Sequence, residues 1–219
     1  MRQKLVLIPK LGIILSLILY FYAADLYPGG QAFNKSAVGY SHINNFWCDL
    51  LDHVTYSGLP NPARPYALTA TIILAFSFLF FWFNIPILFL KQNYLAKLVQ
   101  VCGCLAMIFV SFIFTPYHNS AILFAAAFGF LAFFTTQWGL FKSGERRLLL
   151  ISILAIIFLM TNFLMWQTEF ELPLMARIQK AAFVSFFVWV WSSSTRIYLR
   201  LNRESIPPHQ PQNLSASRP

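Results

Sequence analysis

The sequence predicts an all-α protein, a polytopic bundle of six transmembrane helices with a short amphipathic helix in one long outer loop. Three observations predict it. Of 219 residues, 58% are hydrophobic and 11% charged, whereas charged residues make up about a quarter of a soluble domain. The apolar residues gather into six runs, each near the roughly 20 residues that carry a helix across a hydrocarbon layer about 30 Å thick. Lys and Arg are abundant in every second connection and scarce in those between. Backbone groups in lipid find no water, so unbroken apolar runs are helices, and a transmembrane barrel would need alternation at period two.

The first run, Leu5–Ala24, starts with basic residues and has Pro9 in its first turn, where a missing N–H costs least. It reads as a retained helix, because Phe21 and Tyr22 are bulky where signal cleavage wants small residues. The second and third runs are Tyr66–Leu90 and Leu95–Phe114. Asn84 and Pro86 near the end of the second suit a hydrogen bond or a relieved kink. Cys102 and Cys104 in the third read as small packing residues beside Gly103 and Ala106. The remaining runs are Ala121–Phe141, where Ala125 and Gly129 form a small-residue pair for helix packing, Leu148–Trp166 and Met175–Leu199. From Asn202 the chain turns to Pro, Ser, Asn and Gln, so 1–201 form the membrane domain and 202–219 a disordered cytoplasmic tail.

Orientation follows from the bases. Twelve of the sixteen Lys and Arg lie at the two ends and in the second and fourth connections, while the other face holds Lys35, Arg64, Arg177 and Lys180. The positive-inside rule then places both termini in the cytoplasm, in agreement with an even number of spans. The net charge of +9 is this signal plus attraction to anionic inner-leaflet lipids. Its scatter over four short segments argues against nucleic-acid binding.

The outer loop, 25–65, carries most of the polar chemistry. Tyr27-Pro28-Gly29-Gly30 opens it with a turn signal, and Pro60-Asn61-Pro62-Ala63-Arg64-Pro65 closes it with extended chain. Between them Ile43, Phe46, Trp47, Leu50, Leu51 and Val54 recur at the spacing of one helical face, which predicts an amphipathic helix over about 42–54. His42, Asn45, Asp49, Asp52 and His53 fall opposite, and Ser41 is a candidate N-cap. Such a helix would lie on the outer leaflet or over the mouth of the bundle.

On that helix Asp49 and His53 would meet across one turn, a spacing suited to two ligands of one metal. The turn Thr115-Pro116-Tyr117-His118-Asn119 and the connection holding Glu169 and Glu171 share the same side. The candidate metal ligands, for an ion such as zinc, are therefore Asp49, His53 and His118, with Asp52 or Glu169 as catalytic base. The candidate lipid or ligand contacts are His42, Asn45, Trp47 and Arg64. No spacing motif such as H-E-x-x-H supports the metal, and polar residues on a solvent-facing helix need no special role, so structural or interfacial roles take precedence. No acid or base lies in the middle of a span, which counts against proton-coupled transport.

The blocks Tyr27-Pro28-Gly29-Gly30, Asn44-Asn45-Phe46-Trp47-Cys48-Asp49-Leu50, Asn61-Pro62-Ala63-Arg64-Pro65 and Tyr117-His118 resemble bacterial multi-pass membrane proteins of unknown function. The resemblance covers roughly the first 130 residues and implies a six-span fold in a bacterial inner membrane, with no activity attached. Membrane hydrolases of the alkaline ceramidase type match poorly, because His here occurs only in loops and the tail.

The expectation is a non-catalytic membrane protein whose outer loop binds a lipid, a small ligand or a partner, either another membrane protein or a second copy. A metal-dependent hydrolase or transferase acting on lipid headgroups is the alternative, and a small-solute transporter ranks third.

Overall fold

Every apolar run is helical in the computed structural model, which describes residues 2–89, 94–168 and 172–204. A single turn α1 (Arg2–Leu5) precedes α2 (Ile8–Leu26), and α3 (Arg64–Asn84) follows the outer loop. Then come α4 (Tyr94–Val110), α5 (His118–Lys142), α6 (Arg146–Thr168) and α7 (Leu172–Glu204). Among the described residues five helices are long and apolar enough to cross a membrane, and α4 is a shorter apolar helix of 17 residues. This is a membrane protein. The helices α2, α3, α5, α6 and α7 turn Leu, Ile, Phe and Val outward, where an aqueous fold would turn polar groups.

Two helix ends differ from the sequence reading, and Pro explains both. At Asn84 the side chain bonds back to Phe80 O at 2.7 Å, and Pro86, which lacks an N–H, tightens the chain into a 3-10 turn over Ile85–Leu88. The third run stops at Val110 and not Phe114. Ahead of Pro116 the backbone closes short turns, Phe112 N to Phe109 O and Thr115 N to Phe112 O, in place of helical bonds. At the other end of the chain α7 carries on through Asn202 to Glu204, and the rest of the expected tail lies outside the described residues.

Sequence neighbours pack as pairs, α2 on α3, α4 on α5 and α6 on α7, while α3 also meets α4 and α7 meets α2. The centre is aromatic: Trp189 lies 4.6 Å from Phe133, 5.2 Å from Phe81 and 6.2 Å from Trp82 between ring centroids. Trp82 needs Gly103 opposite it, since a Cβ there would sit 2.3 Å from the indole. Gly129, by contrast, faces Ala106 at an ordinary 3.7 Å, so this small residue serves packing of α5 on α4 within the chain. At the cytoplasmic end expected for the bundle, Arg196 of α7 grips both carboxylate oxygens of Glu145 with Nε at 2.9 Å, tying α7 to the α5–α6 turn.

The long loop between α2 and α3 is a folded cap. It begins with an antiparallel hairpin, β1 (Gly29–Gln31) and β2 (Asn34–Val38), that pairs Gly29 with Val38 and Gln31 with Asn34. The sequence reading missed this hairpin because Gly-Gly-Gln and Asn-Lys-Ser-Ala-Val carry little of the β-branched alternation that marks a strand. The expected amphipathic helix over 42–54 is absent; only Cys48–Leu51 form one 3-10 turn. Side chains have taken the backbone's partners: Asn45 Oδ1 accepts from Ser41 N at 3.0 Å, and Asp49 Oδ2 accepts from Phe46 N at 2.9 Å. Such local bonds compete with helix formation. Ser41 does cap a turn, its Oγ accepting from Asn44 N at 3.2 Å.

Candidate functional site

Unpaired backbone groups must be satisfied wherever a loop is buried, and the cap does this with two amides and one acid. Asn45, fully buried, donates from Nδ2 to Gly30 O and to Asp49 Oδ2, both at 2.8 Å. Asn61 donates to Asp49 O at 3.2 Å and Asp52 O at 2.9 Å, fastening the end of the cap to its middle. Gly30 stands at φ +91°, with room for no side chain because a Cβ would lie 2.3 Å from Ser57 N. Tyr27, Tyr40 and Asn45 surround this point, Tyr27 OH bonding Gly30 O and Tyr40 OH bonding Phe46 O.

Asp49 is thus an interior carboxylate and not part of an exposed polar face. It is 3% exposed. Burial pushes its pKa up to about 6, against the pull of the Asn45 and Phe46 bonds; Asp52 adds to the rise and Lys180 opposes it. Burial likewise raises the Tyr27 and Tyr40 hydroxyls and pushes the Cys48 thiol up to about 11, so this cysteine is a poor nucleophile.

Helix α7 completes the cap from far along the chain. Gln179 accepts from Trp47 N at 2.9 Å and turns its amide toward Cys48 Sγ at 3.6 Å. Lys180 donates to Asn45 O and, at 3.1 Å, to Ala176 O. The Trp47 indole stacks on Tyr20 of α2 and on Phe183 of α7, each at 5.1 Å. Gln179, Tyr20 and Tyr40 escaped the sequence reading, and Lys180 entered it only as one of the four bases of the sparser face. Its one available signal was the adjacent Gln179-Lys180 pair near the outer end of an otherwise apolar run.

A partly open cleft runs between α2 and the cap, lined by Leu17, Phe21, Tyr40, His42, Trp47 and Leu50 among others. His42 closes its outer rim, its ring 5.5 Å from Phe21 and 5.2 Å from Tyr40. Phe21 on its lower edge belongs to the exposed apolar face of α2, with Leu11, Ile14, Leu15 and Ile18.

The remaining candidates lie apart from Asp49's carboxylate. Asp52 and His53 are exposed, while Arg64 and His118 are half-buried. Arg64 opens α3 and donates from Nε to Leu51 O at 2.9 Å; His118 opens α5 with Nδ1 against Ile113 O. Burial raises the Asp52 carboxyl, and the nearby His118, Arg64 and His53 draw it back. Among the described residues no three of His, Cys, Asp and Glu gather closely enough to hold a metal ion. The expected set Asp49, His53 and His118 is not brought together, because its helix does not form. Glu169, the other catalytic candidate, lies outside the described residues.

Compared with protein-family models, curated proteins and solved structures, the chain matches none.

Proposed function

We propose that this is a six-span membrane protein with both termini in the cytoplasm, whose outer cap binds a membrane lipid without catalysis. The cleft between α2 and the cap carries this reading. Its lining is mostly apolar, one edge is continuous with the outward Leu, Ile and Phe of α2, and the His42 ring stands at its rim. The cleft is shallow, with about 10 Å³ of free room, that of one water, so an acyl chain would lie across its mouth along Leu17 and Phe21, where His42 would meet its carbonyl or headgroup. The distribution of Lys and Arg supports the orientation, and α4, about 26 Å long and apolar, is proposed as the sixth crossing.

Catalysis by a metal held on Asp49 has little support, since Asp49 Oδ2 is committed to Asn45 and Phe46. The test is lipid carried through purification in a mild detergent, weighed by native mass spectrometry. Leu17→Trp, which fills the cleft, is expected to cut bound lipid at least about fivefold relative to wild type, a loss of about 1 kcal/mol, while Ile18→Trp on the outward face leaves it unchanged. Equal lipid on all three proteins would overturn the reading.

A further inference from the structure

The two walls of the cleft are held by different helices. One wall is α2, with Leu17, Tyr20 and Phe21, and α3 fixes it: Ser16 Oγ donates to Ala70 O at 2.9 Å, and the hydroxyls of Tyr20 and Thr71 bond at 2.7 Å. The other wall is a short stretch of the cap carrying Tyr40, His42, Trp47 and Leu50. Tyr40 OH on Phe46 O, and Asn45 and Phe46 on Asp49, tie that stretch to itself, while Leu50 packs its far end among Ala23, Ala63 and Ala67.

At Trp47 the hold comes from α7. The indole lines the cleft and lies between Tyr20 of the opposite wall and Phe183 of α7. Its backbone N–H is paired by a side chain, Gln179 Oε1 at 2.9 Å. Gln179 is buried and stands behind the wall, outside the cleft lining. Its Nε2 meets only the weak acceptor Cys48 Sγ, at 3.6 Å, so the oxygen carries the hold. Without that oxygen the Trp47 N–H must turn to water, because a buried N–H left unpaired is costly. The cap wall would then shift away from α7.

We infer that Gln179 is a positioning residue of the cleft: from α7 it fixes the backbone of Trp47, and so the spacing of the cap wall from α2, without touching the lipid. This rests on the lipid reading of the cleft given above.

Two measurements on the full chain in maltoside micelles test it. Amide hydrogen exchange over 45–50 reports release of the wall, and native mass spectrometry reports palmitoyl-oleoyl phosphatidylethanolamine titrated into delipidated protein. Gln179→Met keeps the side-chain length without the oxygen, and is expected to speed that exchange and weaken lipid binding about three- to tenfold, as loss of one hydrogen bond does. Gln179→Glu keeps the acceptor and should bind within about twofold of wild type. Ser57→Ala removes a cap bond to Gly29 O, away from this wall, and should leave binding unchanged, which separates a positioned wall from a loosened cap. Unchanged exchange in Gln179→Met, faster exchange with unchanged binding, or equal losses in Gln179→Met and either Gln179→Glu or Ser57→Ala would overturn the inference. If Leu17→Trp sheds lipid and Gln179→Met does not, this inference alone falls; if Leu17→Trp binds as wild type does, the cleft reading falls and takes this inference with it.

Discussion

The ring of Trp47 lies against that of Phe183 with centroids 5.1 Å apart and planes within 7° of each other. Through this contact a residue of the cap reads the position of the last helix. Trp47→Ala removes the stack on Phe183 and on Tyr20 together, and is expected to destabilise the cap by about 3 kcal/mol. Trp47→Phe keeps an aromatic face and should lose less than half as much. Limited proteolysis within 29–63 would report the difference as early cleavage in the Ala variant alone.

Burial of Asp49 predicts that docking of the cap depends on pH. Burial raises its pKa to about 6 from the ordinary 3.8, so the native cap favours the protonated acid. The stabilisation is full below the unfolded value and is lost as pH rises through about 6. The groups around it are Asp52, Lys180, Cys48 and the phenols of Tyr27, Tyr40 and Tyr56. Thermal unfolding should show a cap about 2 kcal/mol more stable in mild acid than at neutrality. In Asp49→Asn one oxygen still accepts from Asn45 and Phe46, and the slope should flatten; an unchanged slope would assign it to another group.

Gly103 and Gly129 both lie in apolar helices, yet they should respond oppositely to the same change. Gly103→Ala forces the Trp82 indole aside, at a cost of about 1–3 kcal/mol. Gly129→Ala meets ordinary contact distance to Ala106 and gains helix propensity, so its melting temperature should match or exceed wild type.

The bases of the two faces predict labelling from opposite sides. In a cysteine-free background, His53→Cys should react with an impermeant maleimide in intact cells and Arg147→Cys only after permeabilisation. The reverse pattern would refute the proposed orientation.

The helices were legible because lipid imposes one rule on every residue of a span: apolar side chains and internally bonded backbone. The cap was not, because its order rests on a few specific polar bonds. The same residues that suggested an amphipathic face, Phe46, Leu50 and Leu51, are indeed buried, while Ile43 and Val54 at its ends are exposed. Asn45 and Asp49 were recognised as candidates but assigned to the wrong side of the surface. Periodicity describes which residues are apolar; it does not count the carbonyls and amides that Asn and Asp side chains will capture. Gln179 and Lys180 lay beyond reach for a different reason, since their partners are 132 and 135 residues away.

That separation sets a schedule for biosynthesis. A ribosome delivers Trp47 long before Gln179, so the nascent outer segment emerges with its indole and the N–H of Trp47 awaiting partners not yet made. The pair α2 and α3, joined around Ala23, Leu50, Ala63 and Ala67, is able to associate early, but the final latch closes only on arrival of the seventh helix. Chains interrupted before Gln179 would therefore carry this segment without the bonds that Gln179 and Lys180 give it.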